Sequence, residues 1–420
     1  MHASHEINET HQRAMQLILK RQYRTGIEML KELATRHKSN PKALYALGSG
    51  LAEAGDYVAA VRFFLMALAL DPNDVQILVG LGVFHAALGN TQLSKSFFDA
   101  AERGKPLSRQ YETYRAEAML DVGEWTEGFA RAFRILDDSS PTSNTGPRWR
   151  GEAGPMRLLV GQSGGIGDGI MLMRYAALLK QMGITVIWET HGSIVPLART
   201  CPGIDQVVTK EDKPEYDRFV ECVSLPHFFR TTPQSIPAAV PYMRCNTALV
   251  DKWRSQFLRY EGLKVGIAWQ GSPANSHDHR RSMPLSEFGP LANISGVQLF
   301  SLQSGTGIEQ LKRPNVPPNL VPVFTEQDDP YPDENMAAAM KSLDIIISIC
   351  SAPAHLAGAL AAPVWTLLPH KADWRWLRDR SDSPWYPTMR LFRQKSPGNW
   401  STVFDEVARE LAMLAAHRDK

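Results

Sequence analysis

Two hydrophobic patterns divide the 420 residues. The first third reads as helices with small residues in a regular rhythm. Beyond Met156 the pattern changes to short apolar runs of strand length: RLLV at 157–160, ITVIWE at 184–189, KVGIAW at 264–269, VQLFSL at 297–302, DIIISIC at 344–350 and PVWTLLP at 363–369. Weaker strand signals lie at DQVVT and near FVECVSL. Three of these runs lead into a loop of small and polar residues and then a helix-like segment. The strings are GQSGGIGDGIMLMRY from Gly161, VGIAWQGSPANSHDHRRSMPL from Val265 and DIIISICSAPAHLAGALAAPVWTLLP from Asp344. Strand, loop and helix in alternation predict parallel sheets, here in two Rossmann-like halves with a site in the cleft between them. TVFDEVARELAMLAAH predicts a closing helix.

At a 34-residue period, small residues of the first part fall into register. The unit from Pro41 has Gly48, Gly55, Ala60, Ala67 and Pro72; the unit from Val75 has Gly82, Gly89, Ser94, Ala101 and Pro106 at the same places. Small side chains let two antiparallel helices approach closely, and the proline ends the second. The pattern resembles the tetratricopeptide repeat. Flanking units are weaker: Ala14 and Gly26 in the unit from Ile7, Ala116 and Gly123 in that from Arg109, where Ile135 replaces a small residue. About four repeats are expected over 1–140, the outer ones acting as caps. Stacked helix pairs form a groove fit for a peptide or protein; the alternative is plain support. The Ser-, Pro- and Gly-rich stretch 141–155 reads as a linker. Lobes are then expected at 156–262 and 263–420.

Composition narrows the function. With 46 basic and 44 acidic residues, nothing global favours nucleic acid. The polar start MHASHEINETH is unlike a signal peptide. Residues 345–370 lack Lys, Arg, Asp and Glu, but Pro353 and Pro363 would break a spanning helix, so strand, helix, strand is expected instead. Four scattered cysteines without a CxxC pair point away from zinc ribbons and disulfides and toward the cytoplasm.

The glycine loop admits two functional readings. A dinucleotide site requires GxGxxG and an acid about 20 residues on. Glu189 supplies the acid, but Ile170 stands where the third glycine belongs. The other reading displays Asp168, freed by Gly165, Gly167 and Gly169, as a general base at the cleft; an aspartate there also serves simply as a helix cap. His277, Asp278 and His279 alternate on a loop without a third ligand, and no strand-borne DxD motif is evident, so no metal and no bound cofactor are expected.

The strings GIGDG, VGIAWQGSP…RRSMPL, SLQSG, AHLAGALAAPVWTLLP and DWRWLRDRSDSPWYP together resemble glycosyltransferase family 9, the ADP-heptose:lipopolysaccharide heptosyltransferases. The resemblance covers about Met156 to Trp400. Joined to the repeats, it also resembles O-GlcNAc and flagellin glycosyltransferases in architecture. It implies an all-α repeat array followed by an α/β GT-B fold of two Rossmann-like lobes. It implies a nucleotide-sugar donor and a protein or surface-glycan acceptor, transfer with inversion and without metal. Asp168 takes the place of the base. Donor contacts are implied at Gln270, Arg281, Gln303, Cys350, Ser351, His355 and Lys371, with Arg280 and Arg375 on the same rim. His355 alone could equally be a core histidine, and Trp374, Trp376, Trp385 and Tyr386 read as packing. The family carries Asp-Thr where Cys350 and Ser351 stand; cysteine offers no carboxylate to sugar hydroxyls. A non-catalytic repeat adaptor is therefore the second reading, and an oxidoreductase using the first lobe a third.

Overall fold

A computed structural model describes residues 2–103, 106–138, 146–275, 277–324 and 332–418. It divides into two units: 1–139 with 370–378, and 140–369 with 379–420.

The first unit contains eight consecutive helices among the described residues: α1 (His2–Leu19), α2 (Tyr23–Arg36), α3 (Pro41–Glu53), α4 (Tyr57–Leu70), α5 (Val75–Ala87), α6 (Thr91–Glu102), α7 (Arg109–Asp121) and α8 (Trp125–Asp137). They pack as consecutive pairs. The small positions do what the register predicts. A Cβ on Gly48 would stand 2.4 Å from the Phe64 ring, and one on Gly82 2.7 Å from Phe98. Ala60 and Ala67 are fully buried. Gly55, Gly89 and Gly123 turn the chain within each pair at φ of +88°, +78° and +86°, a conformation open to glycine at little cost. One repeat earlier the equivalent residue is Arg21, which takes φ +63° without that freedom. The geometry thus persists where the sequence signal fails.

Residues 370–378 belong with these helices. Trp374 meets the rings of Trp125 and Phe129 edge-on at 5.6 and 5.3 Å. The Arg378 guanidinium donates to the carbonyls of Ala86 and Ala87 at the end of α5, where helix carbonyls lack partners and a cation is favoured. Periodicity does not reveal this segment as part of the array.

The second unit has two wholly parallel sheets. Strands β1 (Arg157–Gly161), β2 (Thr185–Glu189), β3 (Gln206–Val208) and β4 (Arg218–Glu221) form one, ordered β3-β2-β1-β4. Strands β5 (Leu263–Ala268), β6 (Val297–Ser301), β7 (Leu320–Pro322), β8 (Ile345–Ile349), β9 (Val364–Leu368) and β10 (Met389–Arg393) form the other, ordered β10-β9-β8-β5-β6-β7. The β5, β8 and β9 side chains are buried throughout, as strands covered on both faces must be. The stretch weighed as a membrane span is thus β8, the helix Ala352–Ala359 and β9, and among the described residues no helix is long and apolar enough to cross a membrane.

Two boundaries differ in detail from expectation. The described part of the 141–155 stretch is packed rather than loose: Phe219 donates its N–H to Pro147 and accepts from the Trp149 N–H. This covers the β4 edge, while the buried Trp149 ring packs on Phe228 at 4.7 Å. The helix Thr247–Phe257, expected with the first lobe, places Phe257 against Phe300 of β6 at 4.6 Å.

Candidate active site

Strand order locates the site. In open parallel sheets, ligands bind beyond the carboxyl ends of the strands where the order reverses. In the first sheet that point lies between β1 and β4; in the second, between β5 and β8. The loops leaving these four strands carry the glycine loop, Cys222, Gln270 and Cys350–Ser351.

At the first switch point, β1 ends at Gly161 and helix α9 (Ile166–Leu172) begins after Gly165. Asp168 sits in the first turn, where its Oδ2 accepts the Gly165 N–H at 2.7 Å. The N-cap position itself falls to Gly165; Asp168 stands three residues on and reaches back to the Gly165 N–H from inside the first turn. Gly164 makes the bend at φ +76°, and a Cβ there would stand 2.4 Å from that same oxygen. A Cβ on Gly169 would stand 2.2 Å from the Gln162 amide. Across the switch point, Ser163 Oγ and Cys222 Sγ lie 3.5 Å apart. Burial pushes the Cys222 thiol up to about 11; its hydrogen bonds with Ser163 oppose this and the Asp168 charge adds to it. Burial raises the carboxyl of Glu189, the acid of the dinucleotide reading, with the Gln162 backbone N–H opposing that rise.

At the second switch point Ser351 caps the helix Ala352–Ala359, with no hydrogen bond from its side chain to the helix start. The Arg281 guanidinium bridges the reversal, donating to the Cys350 carbonyl at 2.7 Å and to Asp278 at 3.0 Å. Asp278 also accepts the Ser282 hydroxyl at 2.7 Å, which ties down the carboxylate of the weak metal string. No group of three or more His, Cys, Asp or Glu that could hold a metal occurs among the described residues.

The two switch points meet at a glycine. A Cβ on Gly167 would stand 2.9 Å from His355 Cδ2 and 3.5 Å from Ala352 Cα. Glycine is thus required for α9 to seat against the facing helix start, and the base candidate Asp168 is the next residue. His355 is buried, its Nδ1 3.0 Å from the Tyr386 hydroxyl.

Not every expected donor contact points this way. Gln303 is a loop brace: its Oε1 accepts the Trp269 and Gln270 N–H groups at 3.0 Å each, and its Nε2 donates to Gln270, Ser304 and Thr306 carbonyls. That uses the full hydrogen-bonding capacity of the amide. Gln270 accepts from Gln310 at 2.8 Å. Lys371 and Arg375 fall on the segment grouped with the repeats, where Arg375 pairs with Asp373 at 2.7 Å and lies over the Trp374 ring. The structure brings together Gly167, His355 and Ala352, with Asp168 following Gly167 in the chain, and separately Arg281 with Cys350. Sequence reasoning missed Arg174 and Tyr242. Arg174 stands within the same string as Asp168, and a charge inside IMLMRYAALL was the available signal.

Two facing Rossmann-like lobes following a helical array define the chain as of GT-B type with a repeat domain. No family model matches the sequence. The chain is 24% identical over 424 residues to Protein FlbA of Caulobacter vibrioides, covering 93% of this chain and 70% of that protein. It is similar to a family 9 glycosyl transferase structure from Veillonella parvula, at 12% identity and TM-score 0.43, covering 63% of this chain and 96% of that one. It is also similar to an O-GlcNAc transferase mutant of Thermobaculum terrenum, at 12% identity and TM-score 0.32, covering 99% of this chain and 95% of that one.

Proposed function

We propose that this chain is an inverting glycosyltransferase that moves a sugar from a nucleotide-sugar to a hydroxyl of a protein or surface glycan in the cytoplasm. One observation carries the reading: Gly167 of the first switch point abuts His355 of the second, with Asp168 adjacent. Asp168 takes the acceptor's proton as the oxygen attacks the anomeric carbon from the face opposite the donor phosphate. The bond from that carbon to the phosphate oxygen breaks, and the nucleotide leaves with the electron pair. The start of the helix Ala352–Ala359 and Arg281 favour that developing charge, so the reading requires no metal. The repeats dock the acceptor or a partner.

The test is a thermal-shift panel of the full chain with UDP, ADP, GDP, CMP, NAD and nucleotide sugars. A ligand at 100 times its dissociation constant adds about 2.7 kcal/mol. A shift with one nucleotide, followed by transfer from its sugar conjugate, supports the reading; a shift with NAD alone overturns it. Cys350 favours the adaptor as a second reading, because the family's carboxylate is absent there. Cys350→Asp separates the two: a gain in transfer marks a decayed enzyme, a loss marks a donor suited to cysteine.

A further inference from the structure

Arg174 is a buried cation whose contacts, among the described residues, include no carboxylate. Its Nε donates to the Met171 carbonyl at 2.8 Å, one terminal nitrogen to the carbonyls of Trp385 at 2.7 Å and Pro237 at 3.2 Å, and the other to the Tyr242 hydroxyl at 3.2 Å. Three rings enclose it, with centroids 4.9 Å (Tyr242), 5.3 Å (Trp385) and 4.8 Å (Tyr386) from the guanidinium carbon. Burying a charge without a counter-charge is expensive, and its mate is normally an acid. Carbonyls and ring faces partly offset that cost here. A core needing only volume would be filled more favourably by Leu or Met.

The contacts run from the first lobe to the second. Met171 and Arg174 stand beyond the glycine loop of the first lobe, whereas Trp385 and Tyr386 lead into β10 of the second. Tyr242 joins them, donating its hydroxyl to the Ile170 carbonyl at 3.0 Å while its own N–H bonds the Ala359 carbonyl at the end of the facing helix. Tyr386 then carries the arrangement onward to His355 Nδ1 at 3.0 Å, with the two rings edge-to-face at 5.8 Å. On its other side His355 faces Gly167.

We propose that Arg174 is a positioning residue, which holds the two lobes in register and, through Tyr386, fixes the imidazole of His355 against the glycine loop that carries Asp168. The assignment deepens the glycosyltransferase reading and rests on it for its catalytic consequence. Lysine cannot replace this group. It is a single point of charge, whereas the planar guanidinium reaches carbonyls on two lobes at once. Tyr386 likewise acts through its hydroxyl as well as its ring.

The experiment uses the full chain labelled with nitrogen-15 histidine, with His355→Gln to assign the His355 signal. Two variants are compared with the wild type: Tyr386→Phe, which keeps the ring over Arg174, and Arg174→Lys. Both are expected to move the His355 imidazole nitrogen signals, since the Nδ1 hydrogen bond is removed or displaced. In a transfer assay both raise the KM for the donor, by about five- to tenfold for one lost hydrogen bond, with a smaller change in kcat. Folded variants whose His355 signals match the wild type overturn the proposal. If Arg174→Lys does not fold, Tyr386→Phe alone decides whether His355 depends on this cluster. Moved His355 signals in a protein that transfers no sugar would overturn the glycosyltransferase reading and leave the positioning role standing.

Discussion

Asp168→Asn separates the two roles that the aspartate holds. The side chain reaches back to the Gly165 N–H at 2.7 Å, and asparagine keeps an oxygen for that bond. What disappears is the charge. A charge-assisted hydrogen bond exceeds a neutral one by roughly 1 kcal/mol, and a carboxylate in the first turn of a helix adds about 0.3–1 kcal/mol. The variant should therefore lose about 1–2 kcal/mol, a fall of a few degrees in the unfolding midpoint. A general base is worth about 10²–10⁴ in rate, or roughly 3–5 kcal/mol of barrier. The assay measures kcat at saturating donor beside the nucleotide-induced thermal shift. The expected result is a loss of at least about a hundredfold in kcat, with the nucleotide shift retained. A variant within threefold of the wild type would refute the base assignment and leave Asp168 only its bond to Gly165.

Three further outcomes follow from the packing. Gln303→Ala strands the buried Trp269 N–H and the half-buried Gln270 N–H and should cost about 1–3 kcal/mol in urea unfolding, the penalty for one buried unpaired group; a loss below about 0.5 would mean the loop re-forms without it. Trp374→Ala removes a half-buried ring packed edge-on to Trp125 and Phe129 and should destabilise the repeat unit by about 2–3 kcal/mol, readable by hydrogen exchange in α7 and α8. Burial pushes the Asp121 carboxyl from 3.8 up to about 7, with Lys371 and Arg378 opposing and Asp373 and Glu117 adding. The folded state then binds the proton more tightly than the unfolded chain. This contribution is fully present below pH 4 and is lost as pH rises toward 7. Asp121→Asn should flatten that segment of the stability profile; an unchanged slope between pH 4 and 7 would remove Asp121 as its cause.

Gly167→Ala tests the meeting of the two switch points. Its Cβ would press on His355 and Ala352, and overpacking of this kind costs about 1–3 kcal/mol. Nucleotide binding should weaken with it. Undiminished binding would show that the contact is not needed to form the site.

Much of the architecture could be read from local pattern, because local pattern is what builds it. The small residues at a 34-residue spacing specify helix pairs, since a larger side chain at Gly48 or Gly82 would meet Phe64 or Phe98 directly. Apolar runs such as IIISI and VWTLL specify strands buried on both faces, and glycine with aspartate marks the turn into α9. Each signal depends on neighbours within a few residues. Arg21 shows the limit even there, because its turn is imposed by the repeat around it without the usual glycine.

Tertiary structure alone decided the rest. Strand order placed the two reversals that define the cleft, and no local pattern encodes which strands become neighbours. The fold assigned Gln303 to bracing and sent residues 370–378 to the repeats. It also set Arg174 among Trp385, Tyr242 and Tyr386. Those partners lie 68 to 212 positions away along the chain. Hydropathy alone would place an arginine in water; the carbonyls and rings that hold it inside exist only once the two lobes have closed around it.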